Sequence, residues 1–124
     1  ILKERFGASL KGDFIVAGDL NSHYDVPELK PLLGISGLEN VVKERLDVKE
    51  HWTHYYKKGK LAEQFDYLLL SPSLSAKNPN VVPCIERRGL GSDIDYYKGE
   101  RFNERLGVKS GASDHCAVFI TVKV

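Results

Sequence analysis

The sequence has no methionine, no long apolar segment and almost no net charge. Lys and Arg together number 18 against 17 for Asp and Glu, which leaves a formal charge of +1. So small a charge excludes a global attraction to nucleic acid or to anionic lipid, and any polyanion must therefore bind at a local patch. The apolar runs are short, such as residues 67–70, whereas a membrane-spanning helix requires roughly 18 apolar residues. We therefore expect no membrane span.

Cysteine is scarce as well. The two cysteines, Cys84 and Cys116, lie far apart and lack the spacing of a metal site. Cys116 stands in an apolar alternation that is typical of a buried strand. These features favour a reduced, cytoplasmic protein. No targeting segment is visible, but localisation stays open because we expect the natural N-terminus to be absent from this sequence. Since the chain starts at Ile1 and contains no methionine, we expect the natural N-terminus to lie upstream.

The sequence does contain enough apolar side chain for a packed core. Hydrophobic residues make up 42% of the 124 residues and charged residues 28%, a balance that argues against disorder. The length fits one domain, since single domains cluster around roughly 100–150 residues. The composition thus predicts one soluble globular domain.

Hydrophobic periodicity and turn residues predict short, alternating helices and strands. In chain order we predict these elements: a helix over 1–10, a strand over 13–18, short helices at 27–30 and 38–45, strands over 51–56 and 65–70, an extended segment that starts at 81–82, and a strand over 116–124. The β-branched run at 13–18 is typical of a buried strand with helices on its faces. The lysine-rich turn at 57–60 predicts an antiparallel hairpin between 51–56 and 65–70. Pro, Ser and Asn indicate a loop over 71–80.

Asp19 and Asn21 directly follow the predicted strand at 13–18. Residues two apart on a strand leave it on the same face, so this carboxylate and carboxamide can converge on one ligand. The same pattern is common in turns and helix N-caps, where both side chains bond to nearby backbone. The spacing alone leaves both interpretations open.

Asp114 and His115 stand together just before the last predicted strand. A carboxylate beside an imidazole suits metal binding next to proton transfer or phosphate stabilisation. A polar turn with a structural histidine is the alternative.

Asp66 interrupts the apolar strand at 65–70. An unpaired carboxylate buried there would cost several kcal/mol, so we expect a partner. A histidine ring N–H donated to Asp66 would supply one, and would also fix the tautomer of that ring. The alternative is an edge-strand carboxylate that faces water.

Three segments in this order resemble the C-terminal motifs of the endonuclease/exonuclease/phosphatase superfamily. They are Val16-Ala17-Gly18-Asp19-Leu20-Asn21, Phe65-Asp66-Tyr67-Leu68-Leu69-Leu70-Ser71 and Ala112-Ser113-Asp114-His115-Cys116-Ala117-Val118. The superfamily includes abasic-site endonucleases, pancreatic-type deoxyribonucleases, inositol polyphosphate 5-phosphatases and neutral sphingomyelinases. The resemblance covers essentially the whole chain, and three ordered motifs are far more specific than any single one.

The resemblance implies an α/β fold, namely the C-terminal half of a four-layer sandwich with a mixed sheet and flanking helices. Residues 1–124 would form that half. The superfamily's first half supplies an Asn, a Glu that is the principal metal ligand, and a His or Tyr above the phosphate, and no segment here matches them. We therefore expect a missing N-terminal half, in the same chain or in a partner, or self-association through an exposed apolar sheet face.

The resemblance also implies a role for each matching residue. Asp19 would orient or deprotonate the attacking water, and Asp19 and Asp114 would bind Mg²⁺ or Mn²⁺, which prefer oxygen ligands. Asn21 would contact the scissile phosphate. His115 would stabilise a phosphoryl oxygen or protonate the leaving group, and Asp66 would accept a hydrogen bond from His115. His23, His51 and His54 match no motif, and we interpret them as surface or turn residues. A substrate contact is the alternative for His54, which lies near the aromatic strand.

The sequence thus predicts a metal-dependent phosphoesterase that is incomplete as this half. Nucleic acid, inositol phosphates and lipid head groups all remain open as substrates, with a nuclease slightly favoured. Basic residues that could meet a phosphate-rich substrate, or simply be solvated, are Lys57, Lys58, Lys60, Arg87, Arg88, Arg101 and Arg105. The alternative function is a catalytically inactive binding or assembly module that retains the fold.

Overall fold

Short helices accompany three small antiparallel sheets in the part of the chain that the computed structural model describes, residues 1–102 and 111–124. The helices are α1 (Leu2–Phe6), α2 (Lys30–Leu33), α3 (Val41–Arg45) and α4 (Pro72–Lys77), with 3-10 turns at Pro27–Leu29 and Val48–Glu50. The strands are β1 (Ile15–Asp19), β2 (Glu39–Asn40), β3 (His54–Tyr56), β4 (Leu61–Glu63), β5 (Asp66–Leu70), β6 (Cys84–Glu86) and β7 (Ala117–Phe119). The predicted α/β class is confirmed. No described helix is long and apolar enough to cross a membrane, as expected.

β5 lies between β1 and β2 in the largest sheet, and both pairings are antiparallel. This central position buries Tyr67, Leu69 and Leu70. β1 lies at the edge and is covered on one face only, since Val16 packs on the core while Ile15 is 39% exposed. The prediction of a strand buried on both faces is therefore wrong. An apolar run in the sequence predicts a strand, but it does not predict whether other elements cover one face of that strand or both.

The hairpin predicted between 51–56 and 65–70 is also wrong in its second strand. β3 turns through 57–60 and pairs with β4, whereas β5 pairs with β1 and β2. The short loop allows β3 to pair with the nearest extended residues, because closing a shorter loop costs less chain entropy. The separation of β4 from β5 leaves the latter free to join the strand that carries Asp19.

Residues 71–80, predicted as a loop, contain α4. Ser71 caps this helix, since its Oγ accepts a hydrogen bond from the amide of Leu74 at 3.4 Å. Pro72 occupies the first helical position, where its missing N–H is not needed. Leu74 is buried against Val41 and Leu70. The Ser-Pro pair that suggested a loop is thus a helix start.

The sandwich expected from the motifs is not formed by the described residues. Their three sheets are all antiparallel, so the predicted mixed sheet is wrong, and no four-layer arrangement is present among them. The terminal strand is shorter than predicted, since β7 pairs with β6 over Ala117–Phe119 only. The extended segment predicted to start at 81–82 forms a strand only from Cys84, where β6 begins.

A separate apolar cluster lies beneath β3 and the C-terminal segment. Its buried members are Trp52, Tyr55, Leu90, Ile94 and Cys116. Burial raises the pKa of the Cys116 thiol to about 12, so it is an unreactive core side chain, as its apolar surroundings in the sequence suggested. This cluster holds the segment 115–116 against β3.

Candidate active site

The antiparallel register of β1 and β5 places Asp19 directly opposite Asp66. Asp19 ends β1 and Asp66 begins β5, so both carboxylates lie at the same end of the sheet. The Asp19 side chain is 40% exposed, whereas that of Asp66 is 22% exposed. One acid is therefore open to a ligand while the other is partly withdrawn.

His115 reaches these two acids from the far end of the sequence. Its Nδ1 lies 3.0 Å from Oδ2 of Asp66 and 3.9 Å from Oδ2 of Asp19. The hydrogen bond expected between Asp66 and a histidine is therefore present. An ionised carboxylate can only accept, so Nδ1–H donates to it and Nε2 is left for another partner.

Burial lowers the pKa of His115, but the hydrogen bond to Asp66 and the charges of Asp66, Asp19 and Asp114 outweigh it. The net result is a pKa raised above the usual value of 6.5. A positive ring at this position is suited to an anionic ligand.

Thr53 fixes the distance between His115 and β5. The residue is fully buried, and its Oγ1 accepts hydrogen bonds from the amides of Phe65 and Asp66 at 2.9 and 3.1 Å. Its carbonyl accepts the amide of Cys116 at 2.7 Å. One residue thus joins the segment that carries His115 to the start of β5. The sequence interpretation missed this role, for which a hydroxyl within an aromatic run is the available signal.

Asp19 and Asn21 are brought together by a turn. Oδ1 of Asp19 accepts the amide N–H of Asn21 at 2.8 Å, and Oδ2 accepts its Nδ2 at 3.1 Å. Asn21 has a positive φ of 48°, a conformation that Asn tolerates better than most residues. Because β1 ends at Asp19, strand alternation is not what aligns the two side chains. The turn interpretation is correct, and the turn itself holds both groups at the open end of β1.

His54 belongs to this site, which corrects its interpretation as a surface or turn residue. It lies in β3, its side chain is 16% exposed, and its ring stacks on Phe65 with centroids 4.8 Å apart. Its backbone forms an antiparallel bridge with His115. Oδ2 of Asp114, on a side chain that is 76% exposed, lies 3.8 Å from Nε2 of His54. Local sequence could not place His54 there, because the bridge joins residues distant in the chain.

His51 is likewise not a surface residue. It is buried, its Nε2 lies 3.0 Å from the carbonyl of Leu46, and its Nδ1 lies 3.2 Å from the Tyr24 hydroxyl. Both ring nitrogens are thus used in the core. His51 therefore has a structural role.

The site contains two groups with the donor atoms of a metal centre, and the structure brings the predicted residues into both. One group is Asp19, Asp66 and His115, and the other is His54, Asp114 and His115, each with candidate ligand atoms within 4.8 Å of one another. His115 is shared. Asp19 and Asp114, the two metal ligands implied by the resemblance, fall in different groups. Their exposed carboxylates nevertheless fit Mg²⁺ or Mn²⁺, which bind oxygen and keep several waters.

A cavity of about 460 Å³ adjoins His54 and Asp114. Lys57 and Lys58 line it, and Lys57 pairs with Asp93 at 2.5 Å. Of the arginines considered for phosphate, Arg87, Arg88 and Arg101 bond instead to Glu50, Glu86 and backbone carbonyls. Arg105 lies outside the described residues. Among the described residues, Lys57 and Lys58 are therefore the basic groups that line this cavity.

Comparison with known proteins gives no relative. No protein-family model matches the chain, and no curated protein or solved structure matches it. A functional assignment accordingly depends on the motifs and on the geometry of the site.

Proposed function

We propose that this chain contributes the C-terminal half of a divalent-metal-dependent phosphoesterase. The observation that carries the proposal is the 3.0 Å hydrogen bond between His115 and Asp66 beside the exposed carboxylate of Asp19. Three motifs distant in the sequence supply these three side chains. A structural turn histidine has no need of a partly buried acid on another strand.

His115 would bind the phosphoryl group. Asp66 holds Nδ1–H, so Nε2–H of the protonated ring can donate to a phosphoryl oxygen or to the leaving group. The raised pKa of His115 keeps more of the ring protonated near neutral pH. Asp66 is a positioning residue in this scheme.

Asp19 would orient or deprotonate the attacking water. Two hydrogen bonds from Asn21 fix the orientation of the Asp19 carboxylate. A base that is already oriented loses less conformational entropy when it reaches the transition state. The Asn21 carboxamide nitrogen has two hydrogens, and only one is needed for Asp19. The second can donate to the scissile phosphate.

Asp114 and Asp19 would hold Mg²⁺ or Mn²⁺, whose charge would neutralise the phosphate oxygens. In this proposal the remaining ligand is the Glu that the resemblance assigns to the other half of the fold. Asp114 is free to turn toward such an ion because its side chain is largely exposed.

Among phosphate esters we favour nucleic acid. Lys58 and Tyr56 both line the cavity beside the site, and Tyr56 is 48% exposed. A cation and an exposed aromatic face are the two groups with which proteins hold single nucleotides.

The alternative is an inactive assembly module. The observation in its favour is the exposed apolar face of β1, an edge strand that can accept a partner. Such a module would not need Asp66 and His115 to be paired.

The test is Mg²⁺-dependent hydrolysis of bis(p-nitrophenyl) phosphate and of a duplex with an abasic site. It is run on this chain and on a form extended upstream as its gene encodes. We expect hydrolysis in the extended form, lost by orders of magnitude in His115→Ala. His23→Ala is the control, since His23 is another partly exposed histidine outside the site. Equal rates in His115→Ala and wild type would overturn the proposal, and silence in both forms would favour the module.

A further inference from the structure

The proposed phosphoesterase does not use His54. Its ring nevertheless lies within the site, stacked on Phe65 and 4.8 Å from the His115 ring between centroids. Nε2 of His54 lies 3.8 Å from Oδ2 of Asp114. His54 thus lies beside a carboxylate and a second imidazole, and these are side chains that commonly bind a metal ion. The proposed function gives His54 no role.

The orientation of His115 matches that of a metal-bound histidine. Metal-binding histidines usually donate their second ring N–H to a carboxylate, which fixes the tautomer and strengthens the ligand nitrogen. Asp66 accepts such a bond from Nδ1. Nε2 is therefore the nitrogen available for an ion.

The backbone holds the two imidazoles in place before any ion arrives. Residues His54 and His115 form an antiparallel bridge, and the amide of Cys116 donates to Thr53 at 2.7 Å. Preorganised ligands lose less motion on binding. Asp114 is the mobile member of the set, since its side chain is 76% exposed.

We propose that His54, Asp114 and His115 bind a divalent transition metal of the Zn²⁺ type. Their candidate ligand atoms lie within 4.8 Å of one another. Two imidazoles and one carboxylate form a common zinc set, whereas Mg²⁺ prefers oxygen alone. Bonds of about 2.0–2.2 Å in a tetrahedron place ligand atoms roughly 3.4 Å apart. The ligand atoms would therefore move closer together on binding, and the exposed Asp114 side chain is able to turn toward the ion.

Binding at this site is independent of hydrolysis, but its consequence rests on the proposed function. An ion held by Asp114 and His115 would occupy the carboxylate assigned to Mg²⁺ and the Nε2 assigned to phosphate. A zinc-type ion would therefore oppose turnover. The binding itself is measured without any substrate, so a failure of the phosphoesterase proposal does not count against it.

The experiment is a titration of this chain with Co²⁺ in excess Mg²⁺, followed by the visible absorption that Co²⁺ gains with nitrogen ligands. We expect one Co²⁺ per chain, displaced by Zn²⁺. His54→Phe retains the stack on Phe65 and removes the ligand nitrogen, and we expect it to weaken Co²⁺ binding at least tenfold. Asp66→Asn keeps an oxygen that can accept from Nδ1–H of His115 but removes the negative charge that strengthens the ligand nitrogen, and should weaken binding roughly 10-fold.

His23→Phe is the matched control, because His23 also packs on an aromatic ring, that of Tyr24, but lies outside the cluster. It should bind Co²⁺ as wild type does. Wild-type affinity in His54→Phe, or an equal loss in both variants, would overturn the site. Should His54→Phe fail to fold by circular dichroism, Asp114→Asn on an exposed side chain decides the same question, with unchanged affinity as the contrary result.

Discussion

Asp19 and Asp66 face each other across β1 and β5, with the His115 ring 3.9 and 3.0 Å from one oxygen of each. Like charges directly opposite on neighbouring strands destabilise a sheet. A positive imidazole beside both acids offsets part of that repulsion. The site therefore contains its own counter-ion.

Asp19→Asn should separate stability from activity. The amide keeps an oxygen that can accept the backbone N–H of Asn21, loses the acceptor for Nδ2 of Asn21 and removes one of the two facing charges. Because the position is exposed, the free energy of unfolding should change by about 1 kcal/mol or less. Turnover in the extended protein should fall by orders of magnitude. Urea denaturation and initial rates measure both quantities, and wild-type turnover would reject Asp19 as the residue that acts on water.

Asp66→Asn should lower the pKa of His115. Burial already lowers that pKa, and the substitution removes the hydrogen-bonded charge that most strongly raises it. Proton NMR of the imidazole across pH measures the shift. Asp25→Asn serves as the control, since Asp25 neighbours His23 instead. Turnover should fall less than in His115→Ala, and an unchanged His115 pKa would show that the pair is not formed in solution.

Thr53→Val should destabilise the chain by about 1–3 kcal/mol. The isosteric side chain fills the same space but leaves the amides of Phe65 and Asp66 without their acceptor. Thr121→Val, at an exposed position, should leave the midpoint of urea denaturation almost unchanged. Equal midpoints for the two variants would mean that water replaces the Thr53 hydroxyl.

Arg45→Met should lower the free energy of unfolding by about 3 kcal/mol, because it leaves the partly buried carboxylate of Glu39 without its cationic partner. Arg45 donates two bonds to Glu39 at 2.7 Å and two to the carbonyls of Asn78 and Val81. Arg88→Met breaks a more exposed pair with Glu86 and should leave the denaturation midpoint nearly unchanged. The opposite ranking would show that burial does not decide the strength of these pairs.

The pair of Arg45 and Glu39 also makes the stability of the fold depend on pH in the acid range. Hydrogen bonds from Arg45 outweigh burial and hold the pKa of Glu39 below its usual value of 4.5. A lowered folded-state pKa gives stability that is complete above the unfolded value and is lost as pH falls through the folded one. The deficit of Arg45→Met should therefore shrink below about pH 4.5. Denaturation at pH 7 and pH 3 tests this, and a constant deficit would contradict it.

The sequence predicted the acids of the site better than it predicted their surroundings. Asp66 was expected to have a histidine partner because an apolar strand makes a lone carboxylate costly, and that argument depends on local sequence. His54 depends on a bridge to a residue far along the chain, and no local pattern carries that information. Ser71 and Pro72 were assigned to a loop because the residue types that start helices also form turns.

β1 has one strand neighbour, β5, among the described residues. Its other edge carries backbone donors and acceptors available to an incoming strand, and Asp19 stands at the end of that edge. A strand added there would pass beside the carboxylate assigned to the attacking water. The fraction of molecules able to catalyse the proposed reaction would then rise with the concentration of the chain that supplies the strand. Activity per molecule would therefore not be constant.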